Sequence, residues 1–153
     1  MTYSKLSMDV FDAVTRAIES NLNIFSSRGF RYIGVSPETS QPDRPRIRFQ
    51  FENDKTRMRL WVTFSPAQNG LNGGFVVFFM ASNGGRLNLN DYLRLHGYVA
   101  EALLFSFKEN IPSFDKYLDA FLSMLNRVFS NQLKPILAGT TWESTPIDWQ
   151  GYK

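Results

Sequence analysis

The stretch RIRFQFENDKTRMRLW, from Arg46 to Trp61, holds the side chains best suited to chemistry. Arg46, Arg48, Arg57 and Arg59 fall on alternate positions of two short segments, and Trp61 follows them. A guanidinium is a rigid fork of N–H donors that meets a carboxylate or a phosphate bidentately. Tryptophan adds a flat apolar anchor, and Arg with Trp is the chemistry of interface hot spots. Like charges side by side repel. Such a face is either a solvated one that keeps the protein soluble, neutralised by a nearby carboxylate such as Glu38 or Asp43, or a docking surface for something acidic. Asp43 and Arg44, in the proline-rich loop SPETSQPDRP, would form the rim of the site, and Arg31 would extend it.

Other chemistries find little support. The chain has one histidine, His96, and no cysteine, so a zinc site would have to rely on carboxylates beside it. There is no GxSxG, and the glycine-rich runs NGLNGG and SNGGR match neither a P-loop nor a dinucleotide fingerprint. The carboxylates, among them Glu19, Glu52, Asp54, Asp91, Glu101, Asp115 and Asp119, are scattered without an acid–base context. The expectation is a binding protein rather than an enzyme, with no catalytic residues, no metal and no cofactor.

Elements must hold the arginines in place. Met8, Phe11, Val14, Ile18, Leu22 and Phe25 recur at helical spacing, which predicts an amphipathic helix over 8–25 that Gly29 stops. Residues 30–35 read as a strand. In the arginine stretch, Ile47, Phe49 and Phe51 alternate with polar residues, as do Met58, Leu60, Val62 and Phe64. Period two means half-buried strands. A two-residue turn at Asn53 and Asp54 would pair Arg48 with Arg59, Gln50 with Arg57 and Arg46 with Trp61 on one face. FVVFFMA is apolar on both sides, as expected of a strand that is central or covered on both faces. Asn90 is placed to cap the next helix, over 91–108, which is apolar almost all round and expected to be largely buried. A further helix carries Phe114, Tyr117, Phe121, Leu125 and Val128 on one stripe. The tail TTWESTPIDWQGYK, with Trp142, Trp149 and Tyr152, is expected to pack on the body.

At 153 residues one domain is the default, and 14 phenylalanines supply an aromatic core. Strands joined by short loops make an antiparallel meander. The predicted fold is a single α+β domain over residues 1–153: an amino-terminal helix, a four-stranded antiparallel meander, and a carboxy-terminal helical pair packed on one face of the sheet. No run approaches the ~20 apolar residues of a membrane span. MTYSKLSMDVFD lacks the apolar core of a signal peptide, so a cytoplasmic location and no membrane partner are expected. A net charge of +3 permits an anionic partner without demanding one.

The run NQLKPILAGTTWESTPIDWQGYK, after a helix such as FDKYLDAFLSMLNRVF, resembles the carboxy-terminal part of small immunity proteins of bacterial polymorphic toxin systems, such as those of contact-dependent inhibition. The layout of helix, meander and helical pair is similar too. The resemblance covers the whole chain loosely and the last 40 or so residues more closely. It implies tight binding of one cognate toxin domain, with its active site blocked and no catalysis. No functional residues carry over, because the toxin-facing residues differ from system to system. Immunity proteins against nucleases are often acidic, and this chain is basic, so the toxin's docking surface is expected to be acidic. One alternative is a secretion chaperone or adaptor for an effector. Another is a sheet-based nucleic-acid-binding module, against which stand the single aromatic on the predicted face and the low charge. The oligomeric state stays open.

Overall fold

The computed structural model describes residues 5–38, 44–67, 72–107, 114–139, 141, 142 and 144. Asp43 lies outside the described residues, as do Trp149, Tyr152 and most of the tail expected to pack on the body.

The first helical stripe divides in two. Helix α1 (Lys5–Glu19) is followed by a turn and by the short α2 (Asn23–Ser26). At the junction the Asn21 Nδ2 donates to the Ala17 carbonyl at 2.8 Å, offering the backbone an alternative to continuing the helix. Gly29, at φ +89°, then turns the chain into the sheet.

The sheet is a five-stranded antiparallel meander rather than a four-stranded one. It runs in order through β1 (Phe30–Glu38), β2 (Arg46–Asn53), β3 (Arg59–Ser65), β4 (Gly73–Met80) and β5 (Arg86–Asn88). A two-residue strand, β6 (Ser106–Phe107), pairs with the start of β4. Gly74 makes that pairing possible, because a Cβ there would stand 2.0 Å from the Phe105 carbonyl oxygen. β1 forms one edge of the sheet, with a bulge between Tyr32 and Gly34 and with Pro37 near its end.

The expected helical pair is also revised. The segment over 91–108 breaks into α3 (Leu89–Leu95), α4 (Val99–Ala102) and a 3-10 turn before β6. Gly97, at φ +82°, ends α3. Its N–H donates to the Arg94 carbonyl, and the Tyr98 N–H donates to the Leu93 carbonyl, the pattern of a Schellman stop. Asn88, not Asn90, caps the helix, accepting from the Asp91 N–H at 3.2 Å. The segment is not largely buried, since Leu95, Val99 and Leu103 are all more than half exposed. The one long carboxy-terminal helix is α5 (Phe114–Ser130), followed by the four-residue α6 (Lys134–Leu137).

The core lies between one sheet face and the helices α1, α2 and α5. Phe49, Leu60, Val62, Phe64, Val77 and Phe79 are fully buried on that face. Rings couple the layers: Phe25 of α2 stacks on Phe51 at 4.2 Å, Phe121 of α5 on Phe75 at 4.0 Å, and Phe11 of α1 meets Phe64 edge-on at 6.3 Å. Such pairs add to the stabilisation from burying the rings. The Tyr32 hydroxyl donates to Glu19 at 2.9 Å and ties β1 to α1. Burial, and then that bond, push its pKa up to about 12.

The β2–β3 hairpin departs from the predicted register. The turn spans four residues, 54–57. The Asn53 N–H donates to the Met58 carbonyl at 2.8 Å and the Arg57 N–H to the Asn53 carbonyl at 2.7 Å. Arg57 takes a left-handed conformation, φ +65°. The cause is the Asn53 side chain, which is buried rather than exposed at a turn tip. Its Oδ1 accepts from the Lys55 and Thr56 N–H groups at 3.0 Å each, and its Nδ2 donates to the Arg28 carbonyl at 3.1 Å. Arg48 therefore pairs with Thr63 and Gln50 with Trp61, in place of Arg59 and Arg57. The partners slip by four positions, an even number, so every inward residue stays inward. Asn53→Ala removes three hydrogen bonds from a buried site and should cost about 2–3 kcal/mol, read as a lower midpoint at unchanged slope in urea unfolding.

Candidate functional site

The outer face of the sheet is where the arginines were expected, and the register shows how they are dispersed. Three rows cross it: Ser36, Arg48, Thr63, Val76; then Gln50, Trp61, Phe78, Asn88; then Arg31, Glu52, Arg59, Met80, Arg86. Trp61 and Phe78 are neighbours at its centre, ring centroids 6.3 Å apart and planes 28° from parallel. The Arg48 guanidinium lies over the Trp61 ring at 4.2 Å. Together with Arg46, Thr63, Met80 and Arg86 these residues line a groove of about 290 Å³.

β4 is central, between β3 and β5, but this face leaves it uncovered on one side. FVVFFMA was expected to be central or covered on both sides. Only the side bearing Phe75, Val77 and Phe79 is buried, because α1, α2 and α5 pack there. On the other side Val76 is exposed, and Phe78 and Met80 are half-buried. Phe78, Met80 and Arg86 are thus members of the site that periodicity does not reveal. A strand apolar on both sides carries no mark of which side the helices leave open.

The predicted residues separate. Arg46 forms an ion pair with Glu38, and the Arg48 Nη2 lies 4.0 Å from the same carboxylate. Glu38 is only 13% exposed, so it tempers two guanidiniums at once. Arg44 donates to the Asn72 carbonyl at 3.1 Å, which ties the approach to β2 to the approach to β4. Arg57 is not on the face at all; the four-residue turn carries it past the end of the sheet. Arg59 sits at the corner, opposite Glu52. Arg31 does not extend a bare patch, because it bonds Asp54 at 3.1 Å and lies 3.6 Å from Glu52. That hydrogen bond, and then the attraction of the charges, raise the Arg31 pKa and hold Asp54 below the ordinary carboxylate range. Carboxylates interleave the cations, which is why the fold tolerates them.

His96 is exposed on the α3 stop, its ring centroid 4.4 Å from that of Tyr92. Among the described residues no group of three or more His, Cys, Asp or Glu is placed to hold a metal ion. The arrangement on the sheet can do something different. It offers an apolar aromatic floor, with guanidiniums held at its margin by stacking and by Glu38. A guanidinium over an exposed indole contributes about 0.5–1 kcal/mol. A double-mutant cycle of Arg48→Ala and Trp61→Ala in urea unfolding should return a coupling of that size; a coupling near zero would mean that the stacking stabilises nothing.

Compared with protein-family models, with curated proteins and with solved structures, the chain matches none.

Proposed function

We propose that this chain is an immunity protein, which binds a cognate toxin domain through the outer face of its sheet and neutralises it without catalysis. The observation that carries the reading is the Arg48–Trp61 stack beside Phe78, on a face that the core helices do not cover. Trp61, Phe78, Val76 and Met80 supply an apolar centre. Arg46, Arg48 and Arg86 supply a charged margin. An interface of this make-up concentrates its binding energy in the aromatic and arginine anchors. The matching surface on the toxin is acidic around an apolar side chain that enters the groove. Arg46 and Arg48, held in place by Glu38 and Trp61, lose little side-chain freedom on docking. The resemblance of the carboxy-terminal run to immunity proteins supports the same reading.

One observation favours a second reading, a nucleic-acid-binding sheet. The face carries two adjacent aromatics, Trp61 and Phe78, rather than one, and bases stack on such platforms.

A pull-down with tagged protein from a lysate of the source organism, after nuclease treatment, tests both. The expected result is one stoichiometric protein partner, retained as salt is raised and lost with Trp61→Ala and with Arg48→Glu while both variants keep the wild-type circular dichroism. A partner that both variants retain would sink the site. Nucleic acid recovered once nuclease is omitted, with affinity falling steeply in salt, would replace the first reading by the second.

A further inference from the structure

A second candidate lies at the end of the sheet, bordering the proposed docking face at Met80. The turn at 54–57 and the turn at 81–85 border a crevice of about 500 Å³. Arg57, Arg59, Glu52, Asp54, Ser82 and Gly84 contribute to its walls. The volume falls within the range of small-molecule sites, roughly 300–1,000 Å³.

Arg57 is the anomaly. It is the one described non-glycine residue at positive φ, in a region where glycine or asparagine would sit with less strain. The Asn53 turn accounts for the backbone conformation. It does not account for an arginine there. Among the described residues the Arg57 guanidinium has no hydrogen bond or ion pair, and neither has that of Arg59. The two carboxylates on the same walls are already taken up by Arg31, Asp54 at 3.1 Å and Glu52 at 3.6 Å. Two guanidiniums thus line one crevice, Arg57 attracted to Asp54 without a hydrogen bond to it, and Arg59 with neither hydrogen bond nor ion pair among the described residues. A strained conformation retained for an arginine that makes no hydrogen bond among the described residues is a mark of function.

We propose that this crevice holds a phosphomonoester of a small molecule, with Arg57 and Arg59 presenting their N–H forks to the phosphate oxygens. A phosphomonoester carries close to two negative charges at neutral pH and three acceptor oxygens. It matches two guanidiniums on one wall, neither hydrogen-bonded among the described residues, better than a single carboxylate does. The Ser82 hydroxyl is a further donor on the wall. A Cβ at Gly84 would meet no atom within 4 Å, so that side is open to the group bearing the phosphate. Arg46, Arg48 and Trp61 do not line this crevice, and Met80 alone is common to the two linings, so phosphate binding and docking are lost through different arginines.

The test is an amide chemical-shift titration of the full chain with inorganic phosphate, and separately with O-phosphoserine and with serine at matched ionic strength. Both phosphates should produce saturable shifts at residues 54–59 and 81–85, and serine none. Binding should weaken below about pH 6, as the phosphate takes up its second proton. Arg57→Gly should weaken phosphoserine about tenfold or more without lowering the melting temperature, because the strain goes with the side chain. If Arg57→Gly does unfold the chain more easily, Arg59→Gln carries the same expectation for affinity. Shifts that saturate with inorganic phosphate but not with phosphoserine would overturn the phosphomonoester. Absence of saturation, shifts centred elsewhere such as on Lys55 and Lys134, or unchanged affinity in both variants would overturn the site.

Discussion

The carboxamide of Asn53 sets the register on which the sheet's outer face depends. It is buried, and three backbone groups satisfy it: two in the following turn, and one, the Arg28 carbonyl, just before β1. A buried amide with fewer partners would be costly, so the turn length is not free to vary. Gly29 completes the arrangement, because a Cβ there would stand 2.8 Å from the Asn53 Nδ2. One side chain therefore joins the entry to β1 to the β2–β3 turn. From it follow the placing of Arg48 over the indole and of Arg57 off the sheet.

Much of the architecture is legible in the chain because it is written in periodicity. The helical stripe of α5 is unbroken, the first stripe holds as far as Glu19, and the alternation in β2 and β3 names their buried side correctly. What periodicity cannot convey is contact across sequence distance. The register hinged on Asn53 and a carbonyl 25 residues earlier. β5 is three residues long, too short to show a period. In β4 both sides are apolar, so only the packing of distant helices decides that Phe78 faces outward. The segment after β5 misled for a related reason. Its apolar residues surround a helix that Gly97 ends early, and the exposure of Leu95, Val99 and Leu103 follows from that break. The candidate site was legible in its residue types and partly in its geometry. Arg46, Arg48 and Trp61 share the face, while Arg57 does not.

The cationic face is better described as a lattice of mixed charge around an apolar centre. Glu38 sits between Arg46 and Arg48, and Arg31 is spent on Asp54 and Glu52. The exposed pairs of Arg31 contribute little to folding. The effect of the charge pairs here is to hold the arginines where they stand, beside the aromatic strip.

The bulge and the proline in β1 bear on how anything can approach this molecule. β1 is nine residues long and forms an edge of the sheet, the kind of strand on which another chain could add itself. The register breaks between Tyr32 and Gly34, and Pro37 has no N–H to give. The ladder a visiting strand would need is interrupted twice within one short edge. Sheet extension, and with it filament-like stacking of copies along that edge, is disfavoured by the backbone itself, which leaves recognition to side chains.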